Sequence, residues 1–254
     1  MKTFRGFKNA FSINGNSEDR YYATLPEHDL GALSNYFFRI SSKRDIKVCL
    51  DIGANIGLSA LLLSEIAPTA HIYAFEPSER TYGYLLENVR NGFSDNFISA
   101  HRAAVGKAEG VVRFADDQHV SSGNHIALDG AGVEVALTTV DAFVSRAGLA
   151  SVDFVKIDVE GFETDVLEGA LETIFRFRPV FFMEFNEYAL RNNSAIDPER
   201  CLQRWLECLG PLGIVDPLTG ATTPLPPSAE RALADIRQRT KTEFDVFDLV
   251  TQGA

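Results

Sequence analysis

Residues 47–64 constrain the fold more than any other part of the chain. Residues 48–52 form a short apolar run with one carboxylate, Asp51, which is typical of a buried parallel strand. Residues 53–57, Gly-Ala-Asn-Ile-Gly, predict a glycine turn, and the leucine-rich residues 58–64 have helical composition. A strand, a glycine turn and a helix in this order open a nucleotide-binding α/β unit.

The alternation of strand and helix continues along the chain. Apolar runs predict strands at residues 71–75, 97–105, 153–158, 180–185 and 244–250, and helical composition predicts helices at residues 29–40, 78–91, 140–147, 163–175 and 198–209. Buried strands separated by helices imply an α/β fold with a doubly wound, mostly parallel sheet.

The chain divides into a flank and one domain. Residues 1–45 are polar and mixed, and we interpret them as an N-terminal flank or cap on a domain of residues 46–254. Within that domain, turn signals around short β-prone pieces predict a hairpin-containing excursion at residues 107–137. The proline-rich residues 217–227 indicate a loop rather than a linker, because too little chain follows to fold alone.

Charge and composition exclude several classes of partner. The chain has 24 basic and 35 acidic side chains, a net charge of −11, and an acidic body repels the phosphate backbone of nucleic acid. No apolar stretch reaches the length of a membrane span or a signal peptide, so we expect a cytoplasmic protein. Three cysteines suggest neither a disulfide framework nor a metal knuckle. The oligomeric state is not predicted.

Four predicted strands end in carboxylates: Asp51, Glu76, Asp158 and Glu184. In an open α/β sheet the ligand crevice lies at the carboxyl ends of the strands, so these side chains should share one rim. Asp51 can accept from an ammonium group, and Glu76, 25 residues later, can accept from both hydroxyls of a ribose. The alternative for each acid is to cap the helix that follows it.

The motifs of residues 48–186 resemble those of the FkbM-type family of S-adenosylmethionine-dependent methyltransferases. They are LDIGANIGLS at 50–59, FEP at 75–77, AVG at 104–106, VKIDVEGFE at 155–163, LEGA at 167–170 and RP at 178–179. The resemblance implies a class I methyltransferase, with a Rossmann-like, seven-stranded sheet. It also implies O-methylation of a hydroxyl on a saccharide or a small natural product.

The resemblance also implies which residues bind S-adenosylmethionine. The residues expected around its methionine half are Asp51, Gly53, Asn55 and Gly57, with Asp158 nearby, while Glu76 holds the ribose and Ala104 and Val105 lie beside the adenine.

Transfer of a methyl group to an alcohol requires a group that takes the proton of the hydroxyl. Asp158 and Glu184 are our candidates for this catalytic role, and His125 in the excursion is the next, although a lone histidine in a polar loop is more often solvated. If a metal is used, Asp158, Glu184 and Asn186 offer oxygen ligands of the kind that magnesium accepts. We favour the metal-free version, because Glu160 and Glu163 would raise the pKa of a neighbouring acid.

Other interpretations of the same residues remain open. Tyr21 and Tyr22 could stack on a sugar or pack against the sheet, and Lys156 could pair with a neighbouring acid. The chain could also be a catalytically silent cofactor-binding or scaffolding domain, or an NAD-dependent oxidoreductase with a degenerate fingerprint.

Overall fold

A computed structural model of the chain describes residues 1–28, 31–92, 97–242 and 245–252. The strands are β1 (Lys2–Arg5), β2 (Ala10–Ile13), β3 (Val48–Ile52), β4 (His71–Phe75), β5 (Ile98–His101), β6 (Ala104–Val105), β7 (Gly110–Ala115), β8 (His125–Ile126), β9 (Val133–Thr138), β10 (Phe154–Ile157), β11 (Val180–Phe185), β12 (Leu212–Val215), β13 (Thr222–Pro224) and β14 (Phe247–Thr251). The helices are α1 (Arg20–Thr24), α2 (Ala32–Ser41), α3 (Leu58–Ile66), α4 (Glu79–Asn91), α5 (Val140–Arg146), α6 (Glu163–Glu168), α7 (Leu171–Phe177), α8 (Glu187–Asn192), α9 (Pro198–Leu209) and α10 (Ala229–Arg239). No described helix has the length and apolar character needed to span a membrane.

The central sheet confirms the predicted α/β class. Its strand order is β13-β12-β14-β11-β10-β3-β4-β5, with parallel pairing from β11 to β5 and antiparallel pairing of β14, β12 and β13. The described residues therefore form a mixed sheet of eight strands, not the seven predicted. The eighth is β13, which lies in the predicted loop at 217–227, where a turn held by Asp216 reverses the chain after β12.

Helices cover both faces of this sheet and bury its apolar side chains. One core contains residues of α2, α3 and α4, and the other contains residues of α5, α6, α9 and α10. Alternate residues of a strand face opposite cores: Cys49 belongs to the first and Leu50 to the second. Parallel strands buried on both faces explain the nearly continuous apolar runs in the sequence.

Two predicted elements are each divided in the structure. The strand predicted at 97–105 is β5 of the central sheet and β6 of a smaller sheet, because the chain turns at residues 102–103. The helix predicted at 163–175 is α6 and α7. The break falls at Gly169, where a Cβ atom would lie 2.1 Å from the Gly106 carbonyl oxygen, and the Asp141 carboxylate caps the start of α7.

The smaller sheet has the order β6-β9-β7-β8 and contains the strands of residues 107–137. β7 and β9 pair antiparallel, as in a hairpin, and β6 pairs parallel with β9. This sheet therefore begins directly after β5, close to the carboxyl ends of the central parallel strands.

Residues 1–45 contain β1 and β2, which pair antiparallel, and helices α1 and α2. Glu65 of α3 anchors the hairpin by accepting hydrogen bonds from the backbone amides of Phe7 and Lys8 at 2.7 and 2.6 Å. The predicted helix at 29–40 corresponds to α2, and its first two positions lie outside the described residues. The predicted strand at 244–250 corresponds to β14, and position 244 is likewise outside them.

Candidate active site

A cavity of about 390 Å³ opens at the carboxyl ends of the central parallel strands. The turn after β3 forms one wall, and Glu76 and Pro77 after β4 form the next. Residues 158–160 after β10 and Glu184 near the end of β11 complete the far side. The location is the one expected for a ligand crevice in a doubly wound sheet.

The glycine turn owes its shape to backbone conformations that favour glycine. Gly53 has a φ of +80°, and a Cβ atom there would lie 1.8 Å from the carbonyl oxygen of Asp158, so the turn packs directly against β10. Asn55 is also left-handed, at +49°. Gly53 and Asn55 line the cavity, whereas Gly57, predicted as a cofactor residue, does not. Gly57 precedes α3 at a φ of +90°, and its neighbour is Leu85.

Asp51 lies behind the cavity wall. Its side chain is fully buried, its Oδ2 atom accepts a hydrogen bond from Ser59 at 2.6 Å, and Lys156 Nζ lies 3.5 Å from its Oδ1 atom. The predicted direct contact with a ligand ammonium group is therefore not available to Asp51 in this arrangement. Its contribution is to fix Lys156 and Ser59, both of which line the cavity.

Lys156 pairs with neighbouring acids, as one of the sequence interpretations allowed. Its Nζ atom lies 3.2 Å from Asp158 Oδ2 and donates a hydrogen bond to the Gly53 carbonyl at 2.8 Å. Burial alone would lower the pKa of Lys156, but the Asp158 and Asp51 carboxylates outweigh it and raise the pKa. The amine therefore keeps its proton and cannot act as a base near neutral pH.

Glu76 lines the cavity and is only 6% exposed. Its Oε2 atom accepts from the Asn55 amide at 3.1 Å, and its Oε1 atom accepts from the Ser78 amide at 2.9 Å. Each carboxylate oxygen has a second lone pair that can accept from a ligand. Burial raises the pKa of Glu76 to about 7, against the opposing effect of these two amides.

An apolar slot adjoins Glu76. The central sheet supplies Phe75, and the smaller sheet supplies Ala104, Val105, Phe114 and Ile126. Ala104 and Val105 are both buried, at the positions expected for the adenine side of the site.

Three carboxylates meet at the opposite side of the cavity. Asp158, Glu160 and Glu184 each offer an oxygen atom within 4.8 Å of the others, a set that could hold a divalent cation. Burial and the nearby Asp158 raise the pKa of Glu160 to about 9 and that of Glu184 well above its usual range. The Oε2 atom of Glu184 is buried and has no hydrogen-bond partner among the described residues.

Two predicted residues are not part of this group. Asn186, predicted as a possible metal ligand, caps α8 by accepting from the Ala189 amide at 3.1 Å and does not line the cavity. His125, predicted as an alternative base, lies in β8 and does not line the cavity either; its Nδ1 atom lies 2.8 Å from the Gly123 carbonyl oxygen. In this arrangement neither predicted residue is part of the cavity wall.

The cavity lining also includes Tyr21 of α1, whose role the sequence left open between stacking on a sugar and packing, and Asp248 of β14, which was not predicted to be a site residue. Asp248 is directly opposite Glu184 in the antiparallel pairing of β14 with β11, so the two acids share one face of the sheet. Asp248 could have been predicted from its position between Phe247 and Leu249, because an acidic residue is rarely buried within a strand unless it has a partner or a function.

A model of the FkbM methyltransferase domain matches residues 51–202, more than half of the chain. The chain belongs to this family. The family resemblance inferred from the motifs is therefore confirmed.

Two curated relatives of this FkbM domain are similar over part of their length. The chain is 30% identical over 152 residues to the 2-O-methyltransferase NoeI of Sinorhizobium fredii, covering 53% of this chain and 61% of NoeI. It is 28% identical over 122 residues to the hexuronic acid methyltransferase AglP of Haloferax volcanii, covering 48% of this chain and 49% of AglP. The chain thus spans about half to three-fifths of these relatives.

A solved structure shows the same fold. The crystal structure of an FkbM methyltransferase from Methylobacillus flagellatus matches with a TM-score of 0.53 at 17% identity, over 86% of this chain and 47% of that one. The class I methyltransferase architecture implied by the motifs is therefore confirmed.

Proposed function

We propose that this FkbM domain transfers the methyl group of S-adenosylmethionine to a hydroxyl of a saccharide. The observation that carries the proposal is one cavity with Glu76 and an apolar slot on one side and the carboxylates of Asp158 and Glu184 on the other. The two curated relatives, whose names describe a 2-O-methyltransferase and a hexuronic acid methyltransferase, support a saccharide as the acceptor.

The residues around Glu76 fit an adenosine. A buried carboxylate with two free lone pairs suits the two hydroxyls of a ribose, and the apolar slot beside it suits an adenine ring. Gly53 and Asn55 bring backbone to the wall of the cavity beside Asp158, where we assign the methionine half. S-Adenosylmethionine supplies an electrophilic methyl group on a sulfonium when it is bound there.

Asp158 and Glu184 are our candidates for taking the proton of the acceptor hydroxyl. A carboxylate near the acceptor oxygen accepts this proton as the oxygen gains the methyl group. Lys156 keeps its own proton and holds the carboxylate of Asp158 at the cavity. Burial and the neighbouring acids raise the pKa of Glu184, which makes its ionised carboxylate a stronger proton acceptor than an exposed glutamate.

Binding and turnover together test the proposal and separate it from the alternatives. We expect titration calorimetry to show binding of S-adenosylhomocysteine, with NAD competing weakly or not at all. We expect methyl-labelled S-adenosylmethionine to label neutral glycosides or hexuronic acid glycosides. Binding without transfer would favour a silent cofactor-binding domain, and tighter binding of NAD would favour an oxidoreductase.

A further inference from the structure

Two adjacent tyrosines of α1 have different surroundings, although both pack against the first core. Tyr22 is 3% exposed, and its hydroxyl donates a hydrogen bond to the Ile13 carbonyl at 3.1 Å, which anchors the helix on β2. Tyr21 lines the cavity, and its hydroxyl makes no hydrogen bond within the described part of the chain. Tyr22 thus has a structural partner, while Tyr21 presents an unused polar group to the site.

Tyr21 shares the cavity wall with Lys156 and Asp158, and the charges of both act on its hydroxyl. Burial raises the pKa of Tyr21 to about 12, Lys156 lowers it, and the Asp158 and Asp51 carboxylates raise it further. The phenol therefore keeps its proton at all physiological pH values and can donate a hydrogen bond. If Asp158 takes the proton of the acceptor hydroxyl, the acceptor lies in the same cavity as this hydrogen-bond donor.

Hydrogen bonds to the smaller sheet's loop hold Tyr21 in place. Asp19, which is 3% exposed, accepts from the Ser121 amide at 2.9 Å and from the Ser121 hydroxyl at 2.5 Å. The Arg20 amide donates to the His119 carbonyl at 2.7 Å. Asp19 also accepts from the amide of Tyr21 at 3.2 Å and caps α1. Hydrogen bonds therefore join residues 19–21 to residues 119–121 beside the cavity.

We propose that Tyr21 is a specificity-determining residue, whose hydroxyl donates a hydrogen bond to the saccharide acceptor beside Asp158, and that Asp19 and Ser121 position it. The proposal rests on the proposed function. Tyr21 lies outside residues 51–202, so the match to the family domain assigns it no role. A site that uses a donor to bind a substrate oxygen discriminates against analogues that lack this oxygen.

The first test compares two identical substitutions at adjacent positions. Tyr21→Phe removes only the cavity hydroxyl, and Tyr22→Phe removes only the buried one. With methyl glycosides of neutral hexoses, 6-deoxyhexoses and hexuronic acids as probes, we expect Tyr21→Phe to lower kcat/KM about tenfold or more, mainly through KM. The affinity for S-adenosylhomocysteine should stay within about twofold. Tyr22→Phe should lower Tm and keep kcat/KM.

A second test identifies the contact itself. With the wild type, we expect one monodeoxy version of the best glycoside to react about tenfold more slowly than the parent glycoside. With Tyr21→Phe, the two glycosides should react at similar rates, because this variant already lacks the tyrosine hydroxyl that contacts the deleted sugar hydroxyl. Asp19→Ala and the milder Ser121→Ala should lower kcat/KM although Tyr21 is unchanged.

Three results would overturn the proposal. The first is a wild-type kcat/KM in Tyr21→Phe, and the second is a Tyr21→Phe variant whose Tm and cofactor affinity fall together with activity. The third is a wild-type kcat/KM in both positioning variants. If the wild type binds S-adenosylhomocysteine but methylates no glycoside, the saccharide proposal fails and the role of Tyr21 fails with it. This result differs from the three above, in which the wild type methylates a glycoside.

Discussion

At the scale of single residues, the site depends on carboxylates whose surroundings differ. Glu76 is held by two backbone amides, Asp51 is paired with Lys156 behind the wall, and Glu184 has a buried oxygen without a partner among the described residues. The sequence predicted that all of these acids lie at the edge of the sheet formed by the carboxyl ends of the strands, because the end of a strand can be recognised from local sequence. It could not predict which acid faces the cavity, since this depends on partners distant in sequence.

Replacing Glu76 tests the ribose end of the site. We expect Glu76→Ala to weaken the binding of S-adenosylhomocysteine by about 1–3 kcal/mol, because a buried acceptor of two hydroxyls is removed. Titration calorimetry measures this change. Glu79→Ala is a matched control, because this nearby acid is exposed and pairs with Arg102 at the surface. Equal affinities of the two variants would contradict the assignment.

Replacing Asp158 or Glu184 by its amide tests the route of the proton. We expect either change to lower turnover by roughly 10²-fold or more while cofactor affinity remains within a small factor. Glu230→Gln on the exposed start of α10 is the control. Wild-type turnover in both amide variants would mean that neither carboxylate takes the proton.

Chelation distinguishes a carboxylate base from a metal site in the same cluster. The metal-free version predicts that EDTA leaves turnover unchanged and that magnesium has no effect. A loss of activity in EDTA that magnesium restores would instead indicate that Asp158, Glu160 and Glu184 hold a cation.

At the scale of elements, the sequence predicted what is local and missed what depends on tertiary pairing. The residues of β3, β4 and β11 were predicted correctly from continuous apolar runs. The division of residues 163–175 into α6 and α7 could not be predicted, because the close contact of Gly169 with Gly106 involves a distant segment. The same holds for β13, whose pairing with β12 depends on a turn inside a proline-rich stretch.

The glycine turn gives a prediction at this scale. Gly53→Ala should destabilise the protein severely, because its Cβ atom would collide with the Asp158 carbonyl and its φ of +80° disfavours other residues. Gly83→Ala in the exposed part of α4 is the control: nothing lies within 4 Å of its Cβ position. It should stabilise the helix by about 0.5–1 kcal/mol. Thermal unfolding compares the two, and a Gly53→Ala variant as stable as the wild type would contradict the packing.

The turn also corrects the expected effect of Gly57→Val. The family resemblance implied that Gly57 lies beside the methionine half of the cofactor, where a branched side chain would take up space that the cofactor needs. In the structure, the Cβ atom of a side chain at position 57 would lie 2.6 Å from Leu85 Cδ1, and the backbone there has a φ of +90°. We therefore expect loss of folding stability, measured by thermal unfolding. A stable variant that only loses cofactor affinity would contradict this.

At the scale of the whole molecule, buried acids make stability depend on pH. Burial raises the pKa of Glu76 and Asp248 to about 7 and that of Glu160 to about 9. Between about pH 5 and 9 the unfolded chain releases these protons before the folded chain does, so the free energy of unfolding falls as pH rises. We expect Tm of the ligand-free protein to fall from pH 6 to 9.

Glu160→Gln removes one of the acids with a raised pKa, so we expect Tm to fall less steeply at the high-pH end of the range. Glu230→Gln removes an exposed acid and should leave the dependence of Tm on pH unchanged. Differential scanning calorimetry at each pH gives the comparison. A wild-type Tm that rises over this range would contradict the direction of these pKa shifts.

The family domain and the flanking segments together line one cavity. Residues 51–202 supply the glycine turn, Glu76 and Asp158, while Tyr21 and Asp248 come from the parts of the chain before and after this range. The first group could be predicted from the sequence, because each of these residues lies in a short contiguous motif. The second group is brought to the cavity by α1 and by β14, which lies between β11 and β12.

The most direct test of the central claim is transfer of a deuterated methyl group from S-adenosylmethionine to a panel of glycosides, followed by mass spectrometry and NMR of the products. We expect one deuterated methyl ether on a sugar hydroxyl for each S-adenosylhomocysteine formed, and roughly 10²-fold less of both products in Glu184→Gln samples taken at the same time. A protein that binds the cofactor but yields no methylated sugar, or that places the label on a carboxylate as an ester, would contradict it.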